Sequence, residues 1–267
     1  MVFAGISAAV AQSVSYNRNF DDTWTANTGN ALVIENSDES FYMLQLYRGN
    51  QLLSRISKDG IIIGQWEIDL QGVRIAPSDF TFNSDSTALI CIGANYFSNL
   101  QGSFYTMVIW SIDLATKNIA WMKSYDDASK LNDILCLPKE KVCYAAGVVL
   151  NVNSNDAVLL KIPEDGVGVE KVKQINVQGF ENYTHLSVDR DNPSSVYVYG
   201  RLTQGNVGNS TDRFRAVASK IDLDLNHLWS TTLFNNSSQR SRNYSRGGVV
   251  RNDTVYVSGF TELSSNR

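Results

Sequence analysis

The sequence predicts an all-β fold, a β-propeller of four-stranded antiparallel blades, on three observations. First, a glycine follows a short apolar run at Gly93 (ALICIG), Gly147 (VCYAAG), Gly200 (VYVYG) and Gly259 (VYVSG), at spacings of 54, 53 and 59 residues. Second, a tryptophan strand recurs as Gln65-Trp66-Glu67, Ala120-Trp121-Met122 and Leu228-Trp229-Ser230, with Glu170-Lys171-Val172 in its place in the third unit. Third, the turn before that strand recurs as Ser57–Gly60, Asp113–Thr116, Pro163–Gly166 and Asp222–Leu225. Marks that stay in register at the period of one blade specify a stack of supersecondary units, each needing its neighbour to bury an apolar face.

Taken in order, residues 1–11 form an apolar run closing on Ala9-Val10-Ala11, the small-residue pattern of a signal-peptide cleavage site. No Lys or Arg precedes the run, so a buried first strand is the other reading; the propeller is assigned to 12–267. Residues 12–30 contain two short strand-like pieces, Ser13–Tyr16 and Asp22–Thr25. Blade one is expected over about 31–69, with a hairpin around Asn36-Ser37-Asp38 and Leu46 where the glycine should be. Blade two covers about 78–125, where Asn83-Ser84-Asp85 repeats that turn, blade three about 131–176 and blade four about 184–234. The last stretch, 246–260, supplies only two strands around Arg251-Asn252-Asp253, a tight-turn composition. Pairing those strands with the pieces from 12–30 would give four full blades and a composite fifth. No segment has a useful helical period, and none reaches 18 apolar residues, so no membrane span is expected.

Lys220-Ile221-Asp222, the turn, Leu228-Trp229-Ser230-Thr231, a loop, and then Val255-Tyr256-Val257-Ser258-Gly259-Phe260-Thr261 resemble the SBBP-type β-propeller repeat of secreted and surface proteins. The pattern is also similar to the quinoprotein-like and YVTN-like propeller groups. The match is close over 184–261 and degenerate over 32–176. It implies a propeller. It implies no catalytic residues, because that repeat is defined by core positions. A quinoprotein-like cofactor belongs to longer, eight-bladed chains with a calcium site, so no cofactor is expected here.

A hydrophobic content of 43% supports a core, and a net charge of −4 argues against a nucleic-acid binder, which shows clustered Lys and Arg. The densest basic patch, Arg240, Arg242, Arg246 and Arg251, reads as a solvated loop face. His185 and His227 are the only histidines, without metal spacing, P-loop or nucleophile elbow. His185 is placed at the opening of an inner strand. Asp222-x-Asp224-x-Asn226 opens like a calcium loop but lacks the following glycine and the distal glutamate, and Asn151-x-Asn153-x-Asn155 is weaker still. The adjacent pairs Asp21-Asp22 and Asp126-Asp127 point apart in a strand and do not suit acid–base work. Asn-x-Ser/Thr sequons begin at Asn182, Asn209, Asn235, Asn236, Asn243 and Asn252. No catalytic, cofactor or metal residue is assigned. Of the three cysteines, Cys136 and Cys143 fall opposite each other if 139–140 is a two-residue turn. They form either a disulfide or two reduced core thiols.

The expected function is that of a non-enzymatic secreted or surface scaffold. It would bind a protein or glycan through the loops between second and third strands, at Ala94–Ser103, Val149–Asn155 and Leu202–Arg213. The alternative is a fragment of a larger quinoprotein-like or hydrolase enzyme with its catalytic part outside this chain.

Overall fold

Short Val-, Ile- and Tyr-rich runs separated by Asp, Asn and Gly turns become antiparallel strands throughout. The computed structural model describes residues 32–47, 50–99, 102–150, 155–168, 171–175, 181–189, 192–204, 213–233 and 241–263, and contains no helix among them. Blade one is β1 (Leu32–Glu35), β2 (Phe41–Tyr47), β3 (Asn50–Ile56) and β4 (Ile62–Ile68), paired in that order. Blade two begins with β5 (Ile75–Phe82), β6 (Ala88–Asn99) and β7 (Gly102–Asp113). The next strand, β8 (Ile119–Leu137), belongs to two blades. Its first half pairs with β7 as the outer strand of blade two, and its second half pairs with β9 (Val142–Leu150) as the inner strand of blade three. Blade three continues through β10 (Asn155–Pro163) and β11 (Lys171–Ile175), so blades two and three form one seven-stranded sheet. Blade four is β12 (Glu181–Val188), β13 (Ser195–Gln204), β14 (Arg213–Asp222) and β15 (His227–Leu233). A final pair, β16 (Ser241–Arg251) and β17 (Thr254–Leu263), forms the inner half of a fifth blade. The pieces expected from 12–30, and the proposed signal peptide, lie outside the described residues.

The core lies between blades. Leu44 and Leu53 of blade one meet Phe80, Leu89 and Trp110 of blade two. Ile92 and Ile109 meet Leu131, Ala145 and Val158 between blades two and three. Tyr144 and Leu159 meet Leu186, Val198 and Val217 between three and four, and Tyr197 and Tyr199 meet Val250 between four and five. Because blades two, three and four bury both faces, their middle strands are almost continuously apolar, as in ALICI and VYVY.

The repeated glycines are not strand ends, as the sequence pattern suggested. Gly93, Gly147, Gly200 and Gly259 sit inside β6, β9, β13 and β17, opposite a β-bulge in each inner strand. The bulge pushes a carbonyl into the space a side chain would need. A Cβ on Gly147 would lie 2.0 Å from the Lys130 carbonyl oxygen, and one on Gly200 2.0 Å from that of Asn182. Blade one, with Leu46 in the glycine's place, has no bulge between its described first and second strands.

The tryptophans also need a correction. Trp121 and Trp229 hold the same place, each paired with the residue just before the bulge that follows the third strand, whereas in blade one that place is Gly64. Trp66 stands two residues further on and lays its indole back over Gly64, where a Cβ would meet the ring at 2.3 Å. Trp66 and Trp121 each cover a turn of the following blade. The Lys117 ammonium lies 4.7 Å from the Trp66 ring, and Trp121 Nε1–H donates to the Glu164 carbonyl at 3.1 Å. The third-to-fourth strand turns of the four blades share one device: Gly60, Lys117, Gly166 and Leu225 all take positive φ, which closes these hairpins. Cys136 and Cys143 pair directly across β8 and β9 and are joined as a disulfide, while Cys91 is a buried free thiol.

Two outcomes test these placements. Gly147→Ala should cost about 3 kcal/mol in denaturant unfolding, since a backbone carbonyl cannot rotate away from the added methyl; an unchanged midpoint would contradict the bulge. Thiol titration of the unreduced, denatured chain should find one reactive cysteine, and three would show the pair to be reduced.

Candidate functional site

Each inner-strand bulge is followed by a residue at the same place in its blade, and in blades two and three that residue reaches the next blade. The residues after the bulges are Asp79, Asp133, His185 and Gly247. Asp79 Oδ2 accepts the Ile134 N–H at 3.0 Å, and Asp133 Oδ2 accepts the Leu186 N–H at 2.6 Å, so one geometry is used twice, one blade apart. His185 Nδ1 lies 2.5 Å from the same Asp133 oxygen, and Asp79 and Asp133 share a hydrogen bond. The bulged Asn132 adds a bond from Nδ2 to Asn182 Oδ1 at 2.9 Å and one to the Tyr183 carbonyl at 2.7 Å. The result is an acid–acid–histidine ladder across the inner strands of blades two, three and four.

The three groups settle into distinct protonation states. Burial, then the hydrogen bond and charge of Asp133, push the Asp79 carboxyl up to about 8, so near neutrality Asp79 is a protonated donor. Burial works to raise Asp133 as well, but hydrogen bonds from His185 and Asp79 outweigh it and hold Asp133 below the usual carboxylate range. The bond to Asp133 outweighs burial at His185 and raises it. Asp133 is thus the one anion, flanked by two donors, which satisfies a charge that burial alone would expel.

His185 borders a cavity of about 720 Å³ between the inner strands of blades three, four and five. Leu135, Ser187 and Arg251 are among its lining residues. With Nδ1 committed to Asp133, the imidazole turns its other edge toward Gly247, where a Cβ would meet Cδ2 at 2.8 Å and Nε2 at 3.2 Å. Glycine at this fourth position therefore makes room for the ring. On the far side of β12, Asp189 Oδ2 accepts the Asp253 N–H at 2.9 Å and ties blade four to blade five.

Other residues singled out in the sequence have plainer places. His185 sits inside β12 rather than at its opening. His227 is exposed, with Nε2 2.6 Å from Ser230 Oγ. Asp222 Oδ1 accepts the N–H groups of Asp224 and Asn226 at 3.0 and 2.7 Å, so its carboxylate closes its own turn. Asn182 is half-buried in β12 with its amide oxygen engaged, whereas Asn252 is exposed in a turn. Cys136, Cys143 and Glu164 group together among the described residues, but the disulfide consumes both thiolates, and Glu164 accepts from Ser84 N–H and Oγ–H at 2.8 and 2.7 Å. Arg251 lines the cavity, while the side chains of Arg242 and Arg246 lie outside what is described. Arg240 and residues 21–22, 151–154 and 205–212 lie outside the described residues. Sequence reasoning passed over Asp79 and Asp133. The available signal was their common offset, each 14 residues before its glycine.

No protein-family model matches the sequence, and no curated protein matches it. Solved structures are similar in fold. Hydrazine synthase from Kuenenia stuttgartiensis superposes with a TM-score of 0.52 at 12% identity, over 86% of this chain and 58% of that one. Virginiamycin B lyase from Staphylococcus aureus gives 0.48 at 14% identity, over 86% and 63%. The β-propeller domain of the trilobed protease from Pyrococcus furiosus gives 0.49 at 8% identity, over 87% and 63%. At such identities the likeness concerns fold alone, and the chain spans about three-fifths of the length of these structures.

The ladder predicts how stability depends on pH. Asp79 and His185 bind protons more tightly folded than unfolded, so their stabilisation is complete below 3.8 and 6.5 respectively and is lost as pH rises through the folded values. Asp133 acts in the opposite sense, stabilising above 3.8 and losing that contribution as pH falls through its lowered value. The unfolding midpoint should therefore peak near pH 4 and fall from there to about pH 8. Asp79→Asn, which keeps an amide donor for Asp133, should flatten that fall; an unchanged slope would contradict the assignment.

Proposed function

We propose that this chain is a non-enzymatic interaction scaffold: a secreted or surface-displayed propeller of the SBBP repeat type that holds a protein or glycan partner on one end of its blades. The observation that carries this reading is the unequal reach of the second-to-third-strand hairpins. Up-and-down order within each blade puts those hairpins and the blade-to-blade connections at one end, and the tight turns at the other. At the hairpin end β6 and β7 stay paired out to Asn99 and Gly102, well past Gly93, and β13 and β14 out to Gln204 and Arg213. In blade one the hairpin closes at Tyr47 and Asn50. Uneven projections on a rigid frame are where recognition is normally built. The SBBP reading is supported by the Asp222 turn, Trp229 and the Val255–Thr261 strand. Secretion is supported by the Ala9-Val10-Ala11 pattern and by a disulfide of the kind that persists in oxidising compartments.

The enzymatic alternative has one observation in its favour. The Asp133–His185 pair holds an imidazole in one orientation beside a cavity, the arrangement general acid–base chemistry uses. Against it, both carboxylates of the ladder are engaged by the backbone of the next blade, a structural duty.

The test is photo-crosslinking on the producing cells, with the crosslinker placed at Asn99 on the hairpin end or at Lys139 on the tight-turn end. The scaffold reading expects partner adducts from Asn99 and few from Lys139. Adducts from Lys139 alone would contradict it, and turnover of ester or glycoside substrates lost in His185→Ala would favour the enzyme.

A further inference from the structure

Two cationic side chains border the axial cavity, His185, which is paired with Asp133 on its Nδ1 side, and Arg251. His185 lines it with Nδ1 bound to Asp133, so in the charged form of the ring the second proton sits on Nε2, which has no partner among the described residues. Arg251 borders the same cavity at the end of β16, exposed and with no ion pair or hydrogen bond among the described residues. None of the described lining residues is an aspartate or glutamate, although the chain as a whole is acidic at −4. Leu135, Val188 and Val250 give the walls an apolar character, and Gly248 lines the blade-five side.

The charged and titratable groups around His185 are few. Asp133 on β8 occupies the Nδ1 side and keeps the ring charged, with Asp79 neutral behind it. Tyr199 on β13 lies 6.1 Å away ring to ring, raised by burial and hence uncharged near neutrality. Its hydroxyl is occupied by Ser187 Oγ at 2.8 Å. From β16 the described cation is Arg251. Asp189, at the end of β12, is buried and turned to the Asp253 N–H.

We propose that this cavity binds a small organic carboxylate, accepted by His185 Nε2–H and the Arg251 guanidinium with its apolar part against Leu135 and Val188. An arginine fork matches the two oxygens of a carboxylate, and a charge-assisted bond from imidazolium adds a second contact. The apolar walls favour an organic acid over an inorganic anion. Arg251 stands at the tight-turn end of the channel, opposite the hairpins, so this site and the hairpin surface can be lost independently.

The experiment is ligand-observed fluorine NMR with 4-fluorobenzoate as probe and 4-fluorobenzamide as the uncharged control. The benzoate should bind in weakly acid solution, weaken as His185 loses its proton, and weaken by about tenfold in Arg251→Gln, a variant at an exposed site that leaves the unfolding midpoint unchanged. His185→Gln should remove the pH dependence. Equal binding of the benzamide, an unaltered affinity in Arg251→Gln, or no binding of benzoate at millimolar concentration would overturn the proposal.

Discussion

The close approach of an inner-strand carbonyl to a glycine in the neighbouring strand is the constraint on which the rest of this propeller depends. With 2.0 Å between the Lys130 oxygen and the place a Cβ would occupy on Gly147, no other residue leaves the bulge intact. The bulge in turn decides where the next side chain points. An unbulged strand would send Asp133 to one face of its own blade. The bulged one aims it at the backbone of blade four, where it accepts the Leu186 N–H. Glycine, bulge and cross-blade acceptor are thus one device, repeated at Gly93 with Asp79, while at Gly200 the residue after the bulge is His185, which donates back to Asp133.

Apolar packing between blades is plentiful but not directional. The ladder adds direction, because a carboxylate that must satisfy one particular N–H fixes how far one blade can slide against the next. Its cost is the burial of acidic groups, and the molecule meets it by division of labour. Asp79 keeps its proton, Asp133 carries the charge, and His185 supplies the compensating cation. The same division leaves the far edge of His185 facing the axis, so a structural staple also presents a donor to the cavity.

The sequence revealed the period of the repeat, the blade order and the inner pair at the end of the chain, because these rest on local composition and on spacing. The opposition of Cys136 and Cys143 was also legible, since a tight turn at 139–140 sets the register. The meaning of the glycines was only half legible. They mark a close approach, but strands β6, β9, β13 and β17 run on past them, because the close approach is to a neighbouring strand rather than to a loop. Trp66 was misplaced by two residues because a long indole can reach back over Gly64 and fill the expected space from the wrong position. Asp79 and Asp133 were invisible as a pair because nothing local announces a contact made across blades. Only their equal distance from the glycine links them.

The ladder depends on Asp133 holding His185 in its charged form, and an NMR titration of the His185 imidazole, in the parent chain and in Asp133→Asn, tests this most directly. It predicts that His185 titrates above its ordinary 6.5 in the parent and drops to or below that value in the variant, where burial acts unopposed. A parent value at or below 6.5, or one that Asp133→Asn leaves unmoved, would contradict it.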